Sequence, residues 1–337
     1  MNSLIGVLGA GSWGTALSHI LAYNGHDVVL WSFEADVAGQ INEERTNGRY
    51  LPGVRLADGL RATTDMAEAI GQAPVLLSVS PSHVVRPVME QAAAILGSRR
   101  PLVVSASKGL ETSTDLRMSQ VLSQTLGSHI DEECVVLSGP SFAKELARHL
   151  PTAVTLASKS KENAVRVQEL FQNDHFRLYT QSDVVGTELG GSLKNVMAIA
   201  AGMSDGLQLG TNARAALMTR GLAEIGRLAA KMGGEEATLA GLAGTGDLIL
   251  TCTGDLSRNR QVGLAVGGGR KLQDVLGDMT EVAEGVRTVQ AARDLAHQHG
   301  VEMPIVEAVY SILYEDVEPR QALASLMART PKPERWS

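Results

Sequence analysis

The chain holds 337 residues, 44% of them hydrophobic and 20% charged, which suits a folded, water-exposed protein of two domains better than a single core. A formal net charge of −7 excludes a general nucleic-acid binder, whose surface is basic, yet it leaves room for a small anion in a local basic pocket. The two cysteines, Cys134 and Cys252, and eight histidines without ligand spacing predict a reducing compartment and no metal site.

The first predicted strand is Leu4–Leu8. It is too short for the apolar core of a secretion signal, and no basic residue precedes it. No apolar run approaches the length of a membrane span, so a cytoplasmic chain without membrane insertion is expected. Gly9-Ala10-Gly11-Ser12-Trp13-Gly14 follows directly and opens a predicted helix, Trp13–Tyr23. In that context each glycine has its own reason. Gly9 permits a tight turn, Gly11 lets backbone approach a pyrophosphate, and Gly14 allows close helix–strand packing. The helix N-terminus then offers N–H groups to phosphates. The second strand, Asp27–Trp31, ends in Ser32-Phe33-Glu34. An acid at the strand end binds ribose hydroxyls and a basic residue accepts a 2′-phosphate. Glu34 lies just past the useful position and no arginine is present, so NAD and NADP both stay open.

Further strands are predicted at Val75–Val79, Leu102–Ser105, Val135–Leu137 and Thr152–Ala157, with helices at His83–Leu96 and Leu116–Leu126 between them. Such continuous apolar runs suit strands buried on both faces. Their alternation with helices predicts a doubly wound parallel sheet. Two loops follow strands: Ser107-Lys108-Gly109-Leu110, and Ser138-Gly139-Pro140-Ser141-Phe142-Ala143-Lys144. In an open parallel sheet, ligands bind beyond the carboxyl ends of the strands. Both loops are placed for cofactor or substrate contacts, and both also serve as helix entries. Lys144 and Glu145 read as surface charges.

Near residue 185 the texture changes to helical periodicity, as in Ala213–Met232, Thr288–His299 and Met303–Tyr314. The strongest remaining strand signal is Leu248–Leu250. These features predict a dinucleotide-binding domain over 1–188 and an all-helical substrate domain over 189–337, ending in a frayed tail from Thr330.

Lys194 is the one charge between Leu189 and Met203. Its helical neighbours, Gly190, Gly191, Met197 and Ala198, include no acid. Either its stem carries the ammonium to water, or a group outside the segment needs it. Reduction of a ketone by hydride requires a proton for the developing alkoxide. Desolvation lowers a lysine pKa toward the range of a general acid, and Lys194 falls near the expected domain junction, where ligand sites concentrate. Its neighbour Asn195 could fix a carbonyl or an amide.

A second cluster runs from Gly244-Thr245-Gly246-Asp247 to Ser257-Arg258-Asn259-Arg260. Asp247 follows a glycine-rich turn and could face a ligand or Lys194. Ser257-Arg258-Asn259 reads as a helix cap followed by donors. It suits a phosphate and equally an ordinary solvated cap.

Taken in order, G-A-G-S-W-G-T-A-L, S-K-G-L, S-G-P-S-F-A-K-E, L-K-N-V, T-G-D-L and S-R-N-R resemble the bacterial NAD(P)-dependent glycerol-3-phosphate dehydrogenases, from Gly9 to about Tyr314. The resemblance implies a Rossmann domain, a helical substrate domain and a homodimer. The implied activity is reduction of dihydroxyacetone phosphate to sn-glycerol 3-phosphate, the backbone of phospholipids. It implies Lys194 as general acid/base, with Asp247 beside it. Lys108, Gly139, Ser141, Lys194, Asp247, Ser257, Arg258 and Asn259 match substrate-contacting positions. Ser12, Trp13, Phe33, Lys108, Ala143, Arg258, Val282 and Glu284 match cofactor contacts, added to Gly9, Gly11 and Gly14. Val282 and Glu284 rest on the resemblance alone. Ser32 and Phe33 stand where relatives often carry a basic residue or histidine, which argues against a strong NADP preference. Two other readings stay open: a β-hydroxyacid or ketopantoate-type dehydrogenase, which would take a carboxylate substrate, and a dinucleotide-sensing regulator without activity.

Overall fold

The computed structural model describes residues 3–279 and 283–334. The chain divides into two compact units, one of Met1–Lys108 with Arg117–Val184 and one of Gly109–Leu116 with Val185–Ser337.

In chain order the strands are β1 (Leu4–Leu8), β2 (Asp27–Trp31), β3 (Leu60–Thr63), β4 (Val75–Ser78), β5 (Leu102–Ser105), β6 (Leu110–Glu111), β7 (Leu116–Arg117), β8 (Val135–Ser138), β9 (Thr152–Ala157) and β10 (Phe176–Gln181). Eight of them form one sheet in the order β10-β9-β8-β5-β4-β1-β2-β3, and β6 pairs with β7 alone. From β3 to β8 the pairing is parallel throughout. That run has the strand order of a dinucleotide fold, with the winding reversing beside β1. The register is level: Leu8 pairs with Trp31 on one side and Ser78 on the other, and Ser78 pairs with Ser105. The segments that follow these strands therefore leave the sheet along one edge.

The parallel arrangement stops at β9, which pairs antiparallel to β8. The connection between them holds only a four-residue helix, Ala143–Leu146. That is too little helix to carry the chain back across the sheet, as a parallel crossover requires. β10 then pairs parallel to β9.

Sequence reading finds neither β3 nor β10. Both lie at sheet edges and alternate buried with exposed residues. Continuous apolar runs mark only the inner strands. Leu116–Arg117 is strand β7, and the helix expected from Leu116 starts at Met118. The core of this unit packs Ile5, Val7, Leu30, Leu77, Val104 and Leu137 against helix residues such as Leu17 and Ile20.

From Val184 on, every regular element is helical among the described residues. Leu248–Leu250 is part of helix Asp247–Thr253. Three apolar residues cannot distinguish a strand from a buried helix segment. Leu248 faces inward at 2% exposure and Ile249 faces out at 48%.

Helix Val184–Gly206 is buried from Gly186 to Ser204, as a helix with small and apolar residues on every side tends to be. It crosses helix Arg258–Gly267 backbone to backbone. A Cβ added at Gly202 would overlap the Arg260 carbonyl, and one at Gly263 would overlap the Ile199 carbonyl. Two small residues thus let the main chains approach far closer than side chains allow. No helix among the described residues is long and apolar enough to cross a membrane.

Candidate active site

In the sheet unit, the turn after β1 places Gly9 at φ +128°, a backbone region that L side chains avoid. A Cβ at Gly14 would overlap the Gly9 carbonyl and press on Val79, so the helix can start this close to the strand only with glycine. Gly11 differs from both. A Cβ there would meet nothing within 4 Å, so open space lies over the start of helix Ser12–Tyr23. No side chain caps that helix, and no acid stands in its first turn. Its first N–H groups have no intrahelical partner. The buried Trp13 Nε1 has no hydrogen-bond partner. An open cradle lined by uncapped N–H donors fits a pyrophosphate.

The turn is braced from behind. Asn47, fully buried, donates from Nδ2 to the Ala10 carbonyl at 3.0 Å and to Thr15 Oγ1 at 2.9 Å. Ser80 Oγ donates to the Leu8 carbonyl at 3.0 Å, and Ser107 Oγ donates to the Ser80 carbonyl at 2.6 Å. These braces link the ends of β1, β4 and β5. Sequence reasoning misses Asn47 and Ser80. Asn47-Gly48 reads as a plain turn, and nothing local ties either residue to the glycines.

At the same sheet edge, Lys108 Nζ and Ser141 Oγ both donate to the Gly139 carbonyl at 2.9 Å. The two loops therefore meet at one oxygen. Gly139 has φ +139°. Ala143 opens the short helix after this loop. Beyond β2, Ser32 is buried and donates to the Glu34 carbonyl at 2.9 Å, while Phe33 is 83% exposed. Tyr50 donates its hydroxyl hydrogen to Glu34 Oε1 at 2.6 Å.

In the helical unit, Lys194 is 7% exposed and Asp247 is completely buried. The ammonium donates to Asp247 Oδ1 and, at 2.9 Å, to Thr251 Oγ1. It does not snorkel. The need for this charge comes from outside its own segment, across 53 positions of chain. Thr251 also donates to the Asp247 carbonyl at 2.6 Å, so it touches both partners. It lies four residues after Asp247 in one helix, a spacing that puts both on one face; that signal is present in T-G-D-L-I-L-T. Beside them, burial pushes the Cys252 thiol up to about 12.

Ser257 caps helix Arg258–Gly267, its Oγ accepting from Arg260 N at 3.3 Å. Asn259 is buried, and its Oδ1 accepts from Gly285 N at 2.9 Å. A Cβ at Gly285 would crowd both the Asn195 carbonyl and Asn259 Oδ1. Motifs 64 residues apart thus converge on the start of helix Glu284–Gln298. Arg258 is half-buried. Glu284 begins the converging helix and is also half-buried. Val282 lies outside the described residues. Among the described residues no group of three His, Cys, Asp or Glu side chains could hold a metal.

A buried ammonium with a carboxylate and a hydroxyl as partners can deliver and recover a proton. A capped helix start bearing Arg258 and Asn259 can hold an anion.

Two family models match the chain, the NAD-dependent glycerol-3-phosphate dehydrogenase N-terminus over residues 4–164 and its C-terminus over residues 183–324. Glycerol-3-phosphate dehydrogenase [NAD(P)+] of Geobacter metallireducens is 54% identical, covering 99% of this chain and all of that one. The same enzyme of Geobacter sulfurreducens is 53% identical over the full length of both. Among solved structures, glycerol-3-phosphate dehydrogenase from Coxiella burnetii superposes with a TM-score of 0.92. Its identity is 41%, and the match covers 97% of this chain and 99% of that one.

Proposed function

The chain belongs to the NAD-dependent glycerol-3-phosphate dehydrogenase family, and from that premise we propose how its residues carry out the reaction. It reduces dihydroxyacetone phosphate to sn-glycerol 3-phosphate, reversibly, with NAD(H) or NADP(H), and so supplies the backbone of glycerophospholipids. When bound, the nicotinamide supplies or accepts the hydride. Everything else falls to the chain. Lys194 Nζ donates a proton to the oxygen of the reduced carbonyl and takes it back in the reverse direction. Asp247 holds that ammonium in place and balances its charge, and Thr251 fixes the pair. Ser257, Arg258 and Asn259 bind the substrate phosphate through a hydroxyl, a guanidinium and an amide. Lys108, Gly139 and Ser141 complete the substrate contacts.

Gly9, Gly11, Ser12, Trp13 and Gly14 hold the pyrophosphate, with the open space over Gly11 as support. Phe33 is exposed to stack on an adenine. Lys108, Ala143, Arg258, Val282 and Glu284 complete the cofactor contacts. The protein works in the cytoplasm as a homodimer.

One observation carries this reading: a lysine within a buried helix, almost sealed from water and paired with a carboxylate from another helix. The test follows nicotinamide absorbance with dihydroxyacetone phosphate, in separate reactions with NADH and NADPH. Oxidation of at least one is expected. Oxidation of neither with this substrate, alongside oxidation with ketopantoate or a β-keto acid, overturns it.

A further inference from the structure

In the Ser257-Arg258-Asn259-Arg260 run, the sequence offers two guanidinium groups for one phosphate. Arg260 is committed to carboxylates. Arg260 donates from Nε and Nη2 to Asp205 Oδ2 at 3.0 and 2.8 Å, and from Nη1 to Asp255 Oδ1 at 2.9 Å. All three nitrogens face carboxylates, and the side chain is 15% exposed. A guanidinium whose three nitrogens each donate to a carboxylate has its charge answered. The two acids would also repel an approaching phosphate.

We propose that Asp205 is a positioning residue for phosphate binding: through Arg260 it fixes the first turn of helix Arg258–Gly267, the turn that carries Arg258 and Asn259. This rests on the reading of Ser257, Arg258 and Asn259 as the phosphate ligands.

Four features of the helical unit support it. Asp205 stands near the end of helix Val184–Gly206, about three turns beyond Lys194. The clamp therefore ties the phosphate-binding turn to the element that carries the ammonium. Glycines at the crossing of these two helices bring the main chains into contact at Arg260 itself, so the turn has no cushion of side chains through which to shift. On its other side the same turn is held by Asn259, whose Oδ1 accepts from Gly285 N. That bond fixes the orientation of the Asn259 amide. Asp205 also accepts from Arg214 Nη1 at 3.0 and 3.2 Å, which holds the carboxylate where Arg260 needs it.

The experiment is steady-state kinetics of the full chain with NADH or NADPH, using dihydroxyacetone phosphate and, separately, unphosphorylated dihydroxyacetone. The variants are Asp205→Asn, Arg260→Ala, both together, and Arg258→Ala. Asp205→Asn keeps the shape and loses the charge. Its KM for dihydroxyacetone phosphate is expected to rise about tenfold or more, the scale of a small misplacement. Its kcat and its KM for dihydroxyacetone should stay near wild type. Arg260→Ala should match it, and the double variant should add little, because the two residues act as one unit.

A fall in kcat for both substrates alike, without a KM split, would assign Asp205 a structural role only and overturn the proposal. An unchanged KM in Asp205→Asn beside a raised KM in Arg258→Ala overturns the proposal and leaves the phosphate reading intact. Unchanged KM values in both sink that reading, and the proposal with it. If Asp205→Asn fails to fold, Arg260→Lys takes its place, keeping the charge without the planar fork. A KM rise confined to the phosphorylated substrate is then expected, and its absence overturns the inference.

Discussion

Removing one side of the Lys194–Asp247 pair strands the other charge in the interior, which costs about 3–5 kcal/mol. Lys194→Met should therefore do two separable things. Turnover should fall by roughly 10² to 10⁴, the general-acid range, and stability should fall because Asp247 is completely buried. Lys194→Met combined with Asp247→Leu removes both charges. It should recover most of the stability and none of the turnover. Urea unfolding midpoints and single-turnover rates on the folded fraction separate the two effects. Wild-type turnover in Lys194→Met would remove the lysine from the chemistry. At this scale the sequence was half legible. The isolation of Lys194 among small residues marks it as a charge with a purpose. Its partner could not be read off by helical spacing, because ion pairs between helices leave no periodic signal.

Helices and strands differ in how plainly they announce themselves. Inner strands such as Val75–Ser78 and Val135–Ser138, buried at every position, are uniform apolar runs, and so they stand out. Edge strands such as Leu60–Thr63 and Phe176–Gln181 alternate polar and apolar residues and resemble loops at this length. The reversal at β9 depends on how little helix precedes it, a property of the connection and not of the strand. The close crossing of helices Val184–Gly206 and Arg258–Gly267 is hidden for another reason. Gly202 and Gly263 carry no signal within either helix alone, and their purpose exists only where the two meet. Gly263→Leu tests that purpose. The side chain would have to displace the Ile199 carbonyl, so a loss of about 3 kcal/mol or more is expected, above the usual overpacking range. Gly39→Leu, at a helical glycine with open space around its Cβ position, should cost nothing comparable. Equal thermal midpoints for the two variants would show that the crossing relaxes freely.

Each unit has its own core and its own buried titratable groups, and the signs of these groups are opposed. In the sheet unit, burial and the neighbouring His149 lower His19 to about 4. Its Nδ1 accepts from Ala57 N at 3.0 Å, which requires a neutral, unprotonated nitrogen. Burial also lowers His26 and His149. A histidine with a depressed folded pKa contributes stability that is complete above about 6.5 and is lost as pH falls toward about 4. In the helical unit, burial raises Glu224 to about 7, although the N–H groups of Ile305 and Val306 and the charges of Arg227 and Arg220 pull it down. A carboxyl with a raised folded pKa contributes stability that is complete below about 4.5 and is lost as pH rises through about 7. Each effect is worth about 3 kcal/mol at its limit. Between about pH 4.5 and 6.5, acid should therefore loosen the sheet unit and tighten the helical unit, while a whole-chain melting curve shows little change. Hydrogen-exchange protection factors, read unit by unit at pH 5 and pH 7, resolve the two trends. Glu224→Gln should abolish the trend in the helical unit alone, and His19→Gln should weaken the trend in the sheet unit alone. If both units gain protection in the same direction, the opposed signs are wrong, and one of the two buried groups does not titrate as its surroundings demand.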